Sequence, residues 1–347
     1  MTSRMHPLLT RRDALKSAAA AGAGLALAHL PHAVGVDAQG AAILKAIPKG
    51  GEKLPVVGLG TNAYSVKTAE EMVPLREVLR AMPAAGGTLI DTAPGYGRSE
   101  IVLGELIAEL GNRDKFFLAT KVTAPNGDLA AGTAMLEESF RRLKTDRIEL
   151  MQVHSLAGTD VLMPVLLKMK AQKRIRYIGV TTSDNRQYPE LIAQMRTFPL
   201  DFIQVDYSLD NRDADREILP LAQELKMGVL TNIPLGGRRG SLFRRVQGMA
   251  LPDWARAFDA TSWSHVFLKY VVSHPAVTAG CDTTYFRNTC AHVVASKALA
   301  HSGTACPCTR RNRLPRRPPS GMLVSTPIFS SCANGRISLA ASRLSSE

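Results

Sequence analysis

The sequence predicts an α/β chain folded as a (β/α)8 TIM-type barrel, with its eighth β/α unit degraded or missing. Three observations predict it. Seven strand-like runs alternate with seven segments of helical spacing between residues 54 and 273, and an eighth run starts at Ala276. Aromatic residues make up only 5% of the chain and aliphatic residues are plentiful, as buried parallel strands require. Three successive runs deliver a polar or ionisable side chain at or near their C-terminal ends, namely Asp91, Lys121 and His154. In a barrel such ends converge on one face, which is where the chemistry sits. No G-x-G-x-x-G follows the first run, which counts against an open dinucleotide-binding sheet.

Residues 1–38 read as a twin-arginine export signal, outside the barrel. Arg11 and Arg12 precede a weakly apolar Ala/Gly/Leu run from Ser17 to Leu30, and Val36-Asp37-Ala38 offers a cleavage site. That run is too short and too rich in alanine for a stable membrane span. A basic, alanine-rich N-terminal helix is the alternative. Residues 39–52 read as a linker, and the barrel as 53–279.

The first strand is expected over Leu54 to Thr61, ending in a Gly-rich turn, and the first helix over Ala69 to Ala84, where Met72, Leu75, Val78, Leu79 and Met82 share a face. Strands then follow over Thr88–Thr92, Lys115–Val122, Arg147–His154, Arg174–Thr181, Phe202–Tyr207 and Gly228–Ile233. The helices between them are expected near Ser99–Leu110, Leu129–Leu143, Val161–Gln172, Tyr188–Met195 and Asp215–Leu225. A seventh, near Ser262–Ser273, comes after an insertion. Ala276 to Ala279 begins the eighth strand.

The formal charge of +13 is unevenly spread. From Cys281 to Glu347 there are eight Arg and one Lys against one Asp and one Glu, so the body of the chain is only mildly basic. All five cysteines, Cys281, Cys290, Cys306, Cys308 and Cys332, fall in the same stretch. Cys306-Pro307-Cys308 has neither the two-residue gap nor the second pair of a zinc site, so no metal is expected. The arginine-rich tail lacks a recognition motif and interleaved aromatics, so nucleic acid is not an expected partner either.

The stretch that organises the site is TLIDTAPGYGRSE, Thr88 to Glu100, in which a strand stops at Asp91 and a Gly/Pro turn presents Tyr96. Taken singly, each residue has a plain structural reading: Asp91 as a turn cap, Tyr96 as a half-buried aromatic, Lys121 as a surface lysine, His154 as a core histidine. All of them at successive strand ends favour a site.

With GLGTN at 58–62, ATKV at 119–122, MQVHS at 151–155, RYIGVTTSD, FIQVDYS and PLGGRRGSLF, that stretch resembles the aldo-keto reductases, especially exported members with a twin-arginine signal. The likeness runs from about Lys53 to Ala279. It implies hydride transfer from NADPH, or NADH, to a small aldehyde or ketone, giving an alcohol. Tyr96 would be the general acid, and Lys121 would lower its pKa from the ordinary value of about 10. Asp91 would pair with Lys121, and His154 would orient the substrate carbonyl. The cofactor set implied is Thr61, Asp91, Thr181, Thr182, Gln204, Asn232, Leu235, Gly237 and Arg238. Gln204 would hold the nicotinamide carboxamide, and the Gly-rich loop from Leu235 to Leu242 the pyrophosphate. Thr181-Thr182 stands where the family has Ser-Asn, and Asn232 where it often has a stacking aromatic.

After Ala279 the resemblance stops. Gly280-Cys281-Asp282-Thr283-Thr284 replaces the family's turn, and RRNRLPRRPP at 310–319 cannot form a core helix. Residues 280–347 therefore read as a basic Cys/Arg/Pro/Ser-rich tail, disordered or produced by a frameshift. An eighth strand that ends early would leave unpaired edges, so the alternative function is a catalytically impaired or non-enzymatic nicotinamide-binding barrel. The implied location is periplasmic or exported, with the twin-arginine machinery as partner.

Overall fold

The computed structural model describes residues 42–282 and two short strands, Ile328–Phe329 and Leu339–Ala340, that pair antiparallel with each other. The export signal and the rest of the tail lie outside the described residues.

The segment expected as a linker is partly folded. Strand β1 (Leu44–Ala46) pairs antiparallel with β2 (Lys53–Pro55), and the buried Ile47 and Leu54 join Phe117, Leu150 and Phe202 in one apolar cluster. Lys45 Nζ donates to the carbonyls of Val272 at 2.7 Å, His274 at 3.0 Å and Val277 at 2.7 Å. Burial lowers its pKa to about 8, so it remains charged at neutral pH. Lys45→Met should cost about 2 kcal/mol, because the carbonyls lose a charged donor. Thermal melts check this, and an unchanged Tm would mean that the apolar residues alone hold the hairpin.

The strand expected over Leu54 to Thr61 is broken at Val56, and β3 (Val57–Gly60) begins the barrel. Then come α1 (Ala69–Ala81), β4 (Leu89–Asp91), α2 (Ser99–Leu110), β5 (Phe117–Val122), α3 (Leu129–Arg142) and β6 (Ile148–Val153). Next are α4 (Thr159–Ala171), β7 (Ile175–Thr182), α5 (Tyr188–Thr197), β8 (Phe202–Asp206), α6 (Ile218–Glu224) and β9 (Gly228–Asn232). The described series ends with α7 (Gly237–Arg245), α8 (Trp263–Ser273) and β10 (Ala279–Asp282). Strands β3 to β10 form a closed, parallel barrel.

Closure corrects the expectation of an eighth strand that ends early. Strand β10 continues three residues past Ala279 and pairs with both β3 and β9. Nothing in Gly280-Cys281 prevents this. Gly280 N donates to Val56 O at 2.9 Å, and the small buried side chain of Cys281 faces Gly58. The helix that would complete the eighth unit falls outside the described residues.

Strand tilt sets what shares a level inside the barrel. Register runs from Asp91 to Ala119 to Leu150 across β4, β5 and β6, and a barrel of this shear rises by about two residues over two strands. Alternate strands thus bring Asp91, Gln152, Gln204 and Cys281 to one interior layer. Beneath lie Leu89, Leu150, Phe202 and Ala279, all in the apolar cluster. Above lie Lys121, Thr181 and Asn232. The interior thus changes from apolar to polar at the Asp91 layer.

Candidate active site

Strands β4 and β5 supply a buried ion pair. Lys121 Nζ donates to Asp91 Oδ1 at 2.8 Å, Asp91 Oδ2 at 2.9 Å and the Thr92 carbonyl at 2.9 Å, which uses all three of its protons. Lys121 is 2% exposed. Burial is the largest single influence and would lower its pKa, but the charge and hydrogen bonds of Asp91 together with the Tyr96 phenol outweigh it, and the net shift is upward. Lys121 is therefore a fixed positive charge.

The turn after β4 sets Tyr96 over that charge, its ring centroid 5.1 Å from Lys121 Nζ. His154, the first residue past β6, meets the Tyr96 ring edge-on, with centroids 6.1 Å apart and an interplanar angle of 88°. The structure thus brings Asp91, Tyr96, Lys121 and His154 together at one end of the barrel. One electrostatic expectation is corrected. Burial raises the Tyr96 pKa above its ordinary value, and Lys121 opposes this without overcoming it. Tyr96 is accordingly a proton holder at neutral pH, which is the state a donor needs.

His154 is pushed down to about 4, first by burial and then by the Lys121 charge. It is neutral at pH 7 and can donate one ring N–H. The activity profile should therefore show no histidine inflection between about pH 5 and 8. Stability carries the same signature. The unfolded chain takes up a proton near pH 6.5 and the folded chain only near 4, so His154 stabilises above 6.5 and its contribution is lost as pH falls toward 4. An inflection near 6.5 in kcat/KM would contradict this.

The implied cofactor set divides. Gln204 is 1% exposed, with Nε2 lacking a partner, and Asn232 leaves Oδ1 without one while Nδ2 donates to Thr182 O at 3.3 Å. Thr181 Oγ1 accepts from Ser155 N and keeps its own proton. The Thr182 hydroxyl, in contrast, donates to Gln187 Oε1 at 2.6 Å, so it has no proton for a ligand. Thr61 Oγ1 donates to the Asp91 carbonyl at 3.0 Å, and Leu235 packs in the core beside Leu242. The Arg238 side chain lies outside the described residues.

The Gly-rich loop expected to bind pyrophosphate is helical from Gly237, as α7. Its N-terminal end carries a carboxylate from the same chain: Asp210 accepts from Gly237 N at 3.3 Å, from Ser208 Oγ at 2.8 Å and from Ser241 Oγ. Gly236, at φ +89°, lets the chain wrap this close, since a Cβ there would lie 3.0 Å from Asp210 Oδ1 and 2.3 Å from Leu242 Cγ. A short extra helix after the seventh barrel strand is where TIM barrels bind phosphate, and here an acid holds that position.

Sequence reading missed Asp210, as well as Gln152 and the buried Asp206, whose pKa burial raises to about 6. Gln152 and Asp206 carried a usable signal, lying two residues from His154 and Gln204 respectively and so on the same strand faces. Beside His154 opens a cavity of about 510 Å³ lined by Gly95, Thr123, Met135, Glu138 and Arg142. A larger cavity of about 810 Å³ lies among Arg113, Arg147 and Arg174, at the opposite strand ends, away from these side chains. Among the described residues there is no acidic, His or Cys group that could hold a metal ion, and no helix long and apolar enough to cross a membrane.

The chain is similar to known proteins. The chain is 36% identical to the aldo-keto reductase YhdN of Bacillus subtilis over 174 residues, which is 44% of this chain and only half of YhdN's length. It is 33% identical to the methylglyoxal reductase YeaE of Escherichia coli over 238 residues, covering 66% of this chain and 81% of YeaE. An aldo/keto reductase from Klebsiella pneumoniae, solved with NADP and acetate, superposes with a TM-score of 0.59 at 27% identity, covering 73% of this chain and 89% of that one. The aldo/keto reductase family profile matches residues 56–279, and on these grounds the chain belongs to the aldo/keto reductase family.

Proposed function

We propose that the protein reduces an aldehyde or ketone to an alcohol at the expense of NADPH. The observation that carries this reading is the buried Lys121–Asp91 pair set beneath Tyr96, with neutral His154 edge-on to the same ring. The orphaned buried amide atoms of Gln204 and Asn232 fit a nicotinamide, whose carboxamide both donates and accepts hydrogen bonds. Gln204, Asn232 and Thr181 would hold that end of the cofactor, whereas the start of α7 is already taken by the Asp210 carboxylate and does not fit a phosphate. When bound, the nicotinamide supplies the hydride.

This chain's residues supply the rest. His154 donates its ring N–H to the carbonyl oxygen and fixes its direction. Tyr96 gives that oxygen a proton as negative charge builds there. The phenolate left behind is stabilised by Lys121, which Asp91 keeps charged. The cavity beside His154 is the seat suggested for the remainder of the substrate.

The twin arginines at Arg11 and Arg12 support export of the folded chain to the periplasm or beyond. The continuation of β10 to Asp282 speaks against an impaired barrel with open edges. The test is NADPH oxidation by short aldehydes, methylglyoxal among them. Saturable NADPH binding without turnover of any carbonyl compound would favour the binding-only alternative.

A further inference from the structure

The cavity beside His154 is lined largely by apolar groups, among them Pro94, Val122, Ala134 and Met135, but it also holds the cation of Arg142. Arg142 closes α3 and reaches back along the helix, where its Nε donates to Glu138 Oε1 at 2.8 Å. Its Nη1 stands 3.7 Å from Glu100 Oε2, an ion pair too long for a hydrogen bond. Among the described residues Nη2 has no acceptor either. The side chain is 27% exposed and lines the cavity, so this fork of donors is open to a ligand. The charges around it accommodate one more anion. Glu138 is already paired with Arg141 as well as Arg142. Glu100 is fully buried; its Oε1 accepts from Thr120 Oγ1 at 2.7 Å, its Oε2 has no hydrogen-bond partner, and burial raises its pKa above the ordinary carboxylate value. Two guanidinium groups thus face one well-paired carboxylate and a second that burial pushes toward its neutral form. Along α3 the lining runs from Ala134 to the level of Glu138, a rise of about 6 Å, which a chain of about five atoms spans.

We propose that this cavity selects aldehydes carrying a carboxylate at the far end of a short apolar chain, with Arg142 as the residue that sets the preference. The carbonyl lies at His154 and Tyr96, the chain runs along Val122, Ala134 and Met135, and the carboxylate accepts from the two Nη groups of Arg142. A planar guanidinium offers a carboxylate two parallel hydrogen bonds, and a carboxylate brings the single negative charge that the surroundings accommodate. The assignment rests on the carbonyl-reductase reading above and names the substrate class of the same site.

The test uses the full chain with NADPH and two matched substrates, 4-oxobutanoate and its methyl ester, which keeps the chain and removes the charge. Arg142→Met removes the fork of donors. Because it also leaves Glu100 without its cation, Arg142→Met combined with Glu100→Gln is measured beside it, and thermal melts show which variants are folded. The unmodified chain should favour the acid over the ester by about tenfold in kcat/KM, with the difference in KM rather than kcat. That preference should shrink in about 1 M salt, where a partly exposed charge pair is screened. Each folded variant should show no preference. Should neither variant fold, the acid and ester rates of the unmodified chain decide. Equal rates for the two in the unmodified chain, or a preference for the acid that survives in a folded variant, overturns the proposal and leaves Arg142 as a structural ion-pair residue. Reduction of the ester alone also overturns it, while the reductase reading stands. Failure of the folded, unmodified chain to reduce any carbonyl compound brings down that reading, and this proposal with it.

Discussion

Replacing Tyr96 with phenylalanine should lower kcat by about 10³-fold while changing KM for the carbonyl compound and NADPH affinity by only a few-fold. The ring stays and only the proton donor goes, so packing against His154 and the cation beneath survive. Because burial holds the phenol above its ordinary pKa, Tyr96 carries its proton at every pH in the working range. The loss should therefore be the same at pH 6 and pH 8. Single-turnover kinetics at both values check this. A loss below about tenfold would mean that water or His154 protonates the carbonyl oxygen, and that Tyr96 only shapes the pocket.

The barrel is legible in the sequence because its strands are long apolar runs and its helices carry an apolar face at a period of 3.6. Asp91, Lys121 and His154 stand out for a related reason: each is an ionisable residue at or near the end of a mainly apolar run. Features that depend on contacts distant in sequence are not legible. Strands of three residues, such as Leu44–Ala46, have no period to detect, so the hairpin reads as a linker. The glycines of PLGGRRGSL suggest a loop, whereas all but the first residues form a helix whose N-terminus is occupied by Asp210, 27 residues earlier. The commitment of the Thr182 hydroxyl to Gln187 depends on a short helical turn after β7, which no motif encodes. The net direction of the Tyr96 pKa is likewise a contest between burial and a nearby charge. The residue types reveal the charge, but only the fold reveals the burial.

Replacing Lys121 with methionine should have the second large effect, on stability and catalysis together. The variant leaves the Asp91 carboxylate buried with no cation, a change that costs about 3–5 kcal/mol. It also removes the one charge that lowers the Tyr96 pKa, so the proton becomes harder to release and kcat falls. The two consequences can be separated by a second change. Asp91→Asn combined with Lys121→Met removes both charges, so denaturant melts should recover most of the lost stability. Turnover should not recover, because the phenolate of Tyr96 would still lack a counter-charge. Were turnover to return with stability, the ion pair would be scaffolding alone, and proton transfer from Tyr96 would not depend on Lys121. Failure of the double variant to regain stability would place the cost elsewhere. The Thr92 carbonyl, which also loses its donor, would then be the group responsible.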